Sequence, residues 1–193
     1  FTDGSNLLLE LIQNSQRAKA RKVSVNLPWM GEHPFGDSVS PQHLLRIEDD
    51  GRGIRDITAL LGIAISDWNA DISSQDPAGM GFLQLLALSK QVHIQSRFGS
   101  LHIESQRFLK DGAYRQETLE AIDKAGAITS GTVITAEMLK HWVSYLRSDM
   151  NWYRGHNGIE LVINGEQIEP ISINTLIKEA EEKKNLYNVL KYR

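Results

Sequence analysis

Four short stretches carry residue types whose spacing suits chemistry. The densest is IEDDGRGI at 47–54, where Glu48, Asp49 and Asp50 stand together before Gly51 and Gly53. Like charges in series repel, and glycines lose much backbone entropy on ordering. An ordinary turn needs one glycine and one Asp or Asn. The stretch reads either as an acidic strand-to-helix turn or as a place where a carboxylate is held for use. Glu10 and Asn14 lie four residues apart, which puts them on one face of a helix, one turn above the other. A carboxylate beside an amide oxygen suits a general base next to a ligand for a hard cation such as Mg²⁺; a solvated helix face is the plainer alternative. DPAGMGF at 76–82 places Gly79 and Gly81 where a loop meets an apolar run. Backbone N–H groups there can meet an anion at a helix start, or simply make the turn. Near 130, Gly131 and Thr132 begin a β-branched run, where a hydroxyl needs a partner or merely favours strand.

The elements that position these residues follow from hydrophobic periodicity. SNLLLELIQNSQRAKA (5–20) has Leu7, Leu8, Leu11 and Ile12 at helical spacing, then the small Ser15 and Ala18. KVSVNL (22–27) alternates as a strand. PWMGEHPFGDSVSP (28–41) reads as a hairpin-like surface loop. LLRIED (44–49) is the strand that delivers the acidic cluster at its C-terminal end. IRDITALLGIAI (54–65) reads as helix, SDWNADISSQDPAG (66–79) as a long loop, and MGFLQLLALSKQ (80–91) as a buried helix. VHIQSR, SLHIESQRF, GTVITAEM and IELVING then read as strands, with a helix over 138–150 before the last of them. A charged amphipathic helix is expected over 173–193. Helices alternate with strands early and antiparallel-looking strands dominate later. The pattern predicts an α/β fold: a two-layer sandwich of a mixed, mostly antiparallel sheet with helices on one face.

Composition narrows the classes of function. The 193 residues, 41% hydrophobic with a formal charge of −3, suffice for one good-sized domain. Lys and Arg are scattered, so no nucleic-acid footprint is visible. There is no cysteine, which excludes disulfides, zinc-thiolate sites and thiol nucleophiles and fits a cytoplasmic location. No apolar stretch approaches the roughly 20 residues of a membrane span. The six histidines show no metal-ligand spacing.

In order, the series is a helix with Glu-x-x-x-Asn, a strand ending in Asp-x-Gly-x-Gly, a loop, Gly-x-Gly opening a helix, and Gly-Thr on a strand. From about Leu7 to about Ala136 this resembles the GHKL ATPases: DNA gyrase B, the ninety-kilodalton heat-shock chaperones, histidine kinases and MutL. DDGRGI looks like the gyrase version and GMGFLQLLALSKQVHI like the chaperone run, so the gyrase and chaperone branch is the nearer. The resemblance implies a Bergerat-type ATP-binding fold over residues 1–193. Glu10 would polarise the attacking water and Asn14 would be the Mg²⁺ ligand. Asp49 would accept from the adenine amine, with Thr132 sharing a water beneath the base. Gly51, Gly53 and Ile54 would lie against the ring, and Gly79, Met80, Gly81 and Phe82 at the phosphates. Asp50 would face Mg²⁺-bound water or solvent, and residues 65–79 would form a lid closing over the triphosphate.

Two departures matter. NSQRA (14–18) has Arg17 where many gyrase-like and chaperone members have an acid; it is either a surface residue or a fixed positive charge for the phosphates. Between Ser66 and Phe82 there is no Lys or Arg, only Asp67, Asp71 and Asp76. The resemblance thus implies ATP hydrolysis that is slow or stimulated by a second copy or partner chain, working a larger machine. The alternatives are a nucleotide-sensing module without useful turnover and a histidine-kinase-type phosphotransferase. The client, nucleic acid or protein, is left open.

Overall fold

The computed structural model describes residues 7–54, 80–97, 99–152 and 158–170, with positions 175 and 178. The first helix, α1 (Leu7–Arg17), buries Leu7, Leu8, Leu11, Ile12 and Ser15 along one stripe. Each large aliphatic side chain so buried contributes about 1.5–3 kcal/mol. That stripe docks α1 on a seven-stranded sheet.

The strands are β1 (Lys22–Asn26), β2 (Leu44–Asp49), β3 (Ser89–Ser96), β4 (Gly99–Glu104), β5 (Thr132–Met138), β6 (Glu160–Ile163) and β7 (Glu166–Ile168). Their spatial order is β4-β3-β5-β2-β1-β6-β7. Every pairing is antiparallel except β1 with β6, as expected when a long excursion separates two neighbouring strands. Among the described residues the further α-helices are α2 (Met80–Leu88), α3 (Ser105–Lys110), α4 (Gly112–Glu120) and α5 (Lys140–Trp152), with a short 3-10 turn at Pro41–His43. The fold is thus the α/β architecture read from the sequence, a mixed and mostly antiparallel sheet with helices layered on one face.

The register shows where the site must lie. One row across the sheet, Ile163, Val25, Ile47, Ile134, Ile94 and Leu101, is wholly apolar and faces the helices. The next row on that same face runs Leu161, Val23, Asp49, Thr132, Ser96 and Gly99. There the core turns polar across three central strands. Leu7, Leu11, Phe82, Leu85, Phe108, Val143 and Leu146 join the apolar rows in one contiguous core.

The opposite face carries Asn26, Arg46, Thr135, His93 and His102 in one row, so both histidines are sheet-face residues. Residues 28–40 turn back towards that face rather than standing off as a surface hairpin. Arg46 stacks over Trp29 at 4.7 Å, and Phe35 meets His102 edge-on at 5.7 Å.

Two boundaries differ from the sequence reading, and two elements are absent from it. The helix at 80 ends at Leu88, and Ser89–Gln91 already belong to β3. SLHIESQRF breaks at Glu104, and Ser105 starts a helix with its hydroxyl 2.8 Å from that of Ser89. The helix α4, N-capped by Asp111 accepting from the Ala113 and Tyr114 N–H groups, and the short strand β7 have no counterpart in that reading. The helix expected at 54–65, the loop at 66–79 and most of the one at 173–193 lie outside the described residues.

Candidate functional site

The three adjacent carboxylates of IEDDGRGI do three different things. Glu48 is exposed and ion-pairs with Arg46 at 3.1 Å. Asp50 is exposed, and its Oδ1 accepts the backbone N–H groups of Arg21 at 2.7 Å and Lys22 at 2.8 Å. It therefore clasps the start of β1 to the end of β2. Partial burial pushes the Asp50 carboxyl up, but the two N–H bonds outweigh this and hold it below its ordinary value of 3.8. A carboxylate with a depressed pKa contributes stability that is present above its unfolded value and lost as pH falls through the folded one. Asp50→Asn is therefore expected to lower stability at neutral pH and to shrink the gap to wild type below pH 3.8, in thermal unfolding followed against pH. An equal gap at both ends would remove the clasp.

Asp49 points the other way, into the core face. Its Oδ1 accepts the Gly51 N–H at 2.9 Å, and its Oδ2 accepts the Ser15 hydroxyl from α1 at 3.2 Å. Burial raises the Asp49 carboxyl above its ordinary value; the Gly51 N–H, the Ser15 hydroxyl and the Thr132 N–H oppose this, while the Asp50 charge adds to it. Thr132 is buried and directly opposite Asp49 in the β2–β5 register. A carboxylate offers about four acceptor positions, so Asp49 can receive one more donor.

Close backbone approach builds the rest of this cradle. A Cβ on Gly51 would stand 2.8 Å from the Ala18 carbonyl and 2.9 Å from Asp49 Oδ1. The Arg52 N–H donates to that same Ala18 carbonyl at 2.8 Å, tying the segment to the end of α1. Gly53 has φ +75° and lies against Ser96 and the Gly131 carbonyl. Ile54 is anchored through its N–H to Ser96 Oγ at 2.8 Å. Gly131, at φ +73°, has no room for a Cβ beside the Asp49 carbonyl.

Glu10 and Asn14 stand half-buried on α1. A Cβ on Gly81 would lie 2.8 Å from the Glu10 Cβ and 3.4 Å from its Oε2, so the start of α2 abuts the Glu10 side chain. Asn14 Oδ1 accepts from Arg17 Nη1 at 3.2 Å, and Arg17 is half-buried rather than a free surface group. Met80 opens α2, and Phe82 is buried in the core. Gly79 lies outside the described residues. The structure thus gathers Gly51, Ser15 and Thr132 around the Asp49 carboxylate, joins Ile54 to Ser96, and sets Glu10 against Gly81; α1 carries Glu10, Asn14 and Ser15.

Sequence reasoning passed over Ser15 as a small helical residue and Ser96 as part of a strand. Only NSQRA hinted at Ser15, since a hydroxyl one residue after Asn14 is rotated about 100° from it, towards the sheet. For magnesium, Asn14 supplies one neutral oxygen already engaged by Arg17. No group of three or more His, Asp or Glu among the described residues could hold a metal. Mg²⁺ prefers one or two carboxylates together with phosphate oxygens and water, so the side chains among the described residues do not make a site for it by themselves.

No family model matches the sequence, and no curated protein sequence matches it. Among solved structures the chain is similar to the Aquifex aeolicus MutL ATPase domain complexed with ADP. The TM-score is 0.43 at 14% identity, over 96% of this chain and 70% of that one. No helix among the described residues is long and apolar enough to cross a membrane.

Proposed function

We propose that this chain is an ATP-binding domain of the GHKL type, spanning residues 1–193, that hydrolyses ATP slowly or on stimulation by a partner. The observation that carries the reading is Asp49: a half-buried carboxylate on the core face, cradled by Gly51, Ser15 and Thr132, with acceptor capacity to spare. Such a group suits the exocyclic amine of adenine. Gly51, Gly53 and Ile54 edge the base, and Thr132 lies beneath it. Glu10 takes the proton of the attacking water. Gly79, Met80 and Gly81 offer N–H groups to the phosphates, with Phe82 anchoring that turn in the core. Closure of residues 65–79 over the nucleotide drives movement in a larger, cytoplasmic machine of the gyrase and chaperone kind, through a second copy or a partner chain. Mg²⁺ would join the phosphates at Asn14 by displacing Arg17.

Titrating the chain calorimetrically with a non-hydrolysable ATP analogue, beside Asp49→Asn, tests this. Wild type is expected to bind and the variant to lose about 1.5–3 kcal/mol, the range for a hydrogen bond to a charged group. Because burial raises the Asp49 carboxyl, affinity should fall on acidification at a higher pH than an ordinary aspartate would give. Equal affinity for wild type and variant would sink the assignment. A second reading, a nucleotide sensor without useful turnover, draws on the absence of Lys and Arg between Ser66 and Phe82.

A further inference from the structure

Ser96 lies two strands away from the carboxylate of the candidate site. In register, Asp49 on β2 faces Thr132 on β5, which faces Ser96 on β3, a span of about 10 Å at the usual strand spacing. Ser96 is fully buried on the core face, and a buried hydroxyl is costly unless it is hydrogen-bonded. An alanine there would serve the sheet as well. The hydroxyl is spent instead on one residue of the glycine turn: Ser96 Oγ accepts the Ile54 N–H at 2.8 Å and donates to the Ile54 carbonyl at 3.3 Å.

The chain that leaves β2 at Asp49 is therefore fixed at both ends. Near its start the Gly51 N–H donates to Asp49 Oδ1 and the Arg52 N–H to the Ala18 carbonyl. At its far end Gly53, at φ +75°, passes between Ser96 and Gly131; a Cβ there would stand 2.8 Å from Ser96 Oγ and 2.9 Å from the Gly131 carbonyl oxygen. Ser96 is itself held, because its carbonyl accepts the Ile128 N–H at 3.1 Å. A hydroxyl mounted in this way, gripping both polar groups of Ile54, sets how far the turn stands from Asp49.

We infer that Ser96 is a positioning residue for the nucleotide's base: it fixes Gly53 and Ile54 at the separation from Asp49 that an adenine ring fills, without touching the nucleotide itself. This rests on the adenine-nucleotide reading above. The effect of Ser96 falls on the adenine half of the ligand and is blind to the phosphates.

The test compares wild type, Ser96→Ala and Ser96→Thr in the full chain, at a temperature where all three are folded. ADP and adenosine are titrated calorimetrically, and backbone hydrogen exchange is followed across residues 51–54. Ser96→Ala is expected to bind both ligands about three- to tenfold more weakly, by the same factor for each, the scale of one hydrogen bond. Without ligand, its Ile54 amide should exchange about tenfold faster or more, since its acceptor is gone. Ser96→Thr keeps the hydroxyl and should bring both readouts back near wild type. A Ser96→Ala protein that loses thermal stability yet binds ADP like wild type would show a purely structural serine and overturn the inference. So would a loss confined to ADP, because the serine would then act on the phosphates. Wild type that binds neither ligand removes the nucleotide reading, and this inference with it.

Discussion

Gly131→Ala is expected to destabilise the protein by about 2–5 kcal/mol, the sum of a left-handed backbone penalty and a forced separation of packed strands. Gly131 has φ +73°, and a Cβ there would run into the Asp49 carbonyl. Relief requires β5 to draw back from β2, yet Asp49 and Thr132 are register partners in the middle of the sheet. Against the 5–15 kcal/mol by which domains are usually stable, such a loss is severe. Gly36 provides the control. It has φ +77° with nothing within 4 Å of its Cβ position, so Gly36→Ala should cost only the conformational part, about 1–2 kcal/mol. Denaturant unfolding of both variants separates the two terms. If they lose equal stability, the strands yield more easily than the geometry implies and the Asp49 cradle is not rigid.

Local pattern made much of this architecture legible. The α1 stripe, the alternation of KVSVNL and the β-branched GTVITAEM are period signals read directly from side-chain type. Where the reading failed, distant contacts decided. SLHIESQRF alternates at Leu101 and Ile103, but Phe108 falls out of phase with them and lies three residues from Ser105, which suits a helix; the Ser89–Ser105 hydroxyl pair and the burial of Phe108 settle which period wins. The loop at 28–41 reads only as a hairpin-like surface loop. Its position against the sheet depends on contacts to Arg46 and His102, which local pattern does not reveal.

The candidate site was legible in kind but not in assignment. Asp49 and Asp50 are adjacent and chemically identical, and strand alternation sends them to opposite faces. Pattern alone can say that one of them faces the core. It does not reveal that the other is spent on the Arg21 and Lys22 N–H groups. Nor does it show that Gly51 and Gly53 are demanded by Ala18, Ser96 and the Gly131 carbonyl, constraints from residues up to a whole sheet away in sequence. A site of this sort forms where an apolar row of the sheet gives way to Asp49, Thr132 and Ser96, and that row exists only in the register.

The second large effect is expected at Glu10. In the proposed reaction its carboxylate accepts a proton from water as that oxygen bonds to the terminal phosphorus and the bond to the bridging oxygen breaks, leaving the nucleoside diphosphate. Glu10→Gln keeps the shape of the side chain and removes the base, so turnover should fall by about 10²–10⁴-fold, the range for a general base, while nucleotide affinity holds. Gly81→Ala offers an independent route to the same group: its Cβ would press on the Glu10 Cβ and approach its Oε2, displacing the carboxylate without altering its chemistry. Slowed turnover in both variants, with binding retained, would tie catalysis to the junction of α1 and α2. Single-turnover phosphate release from each protein measures it. Wild-type release no faster than that of Glu10→Gln would show that Glu10 is not acting as a base, and the chain would then be the nucleotide sensor that its lysine- and arginine-free segment after Ser66 also fits.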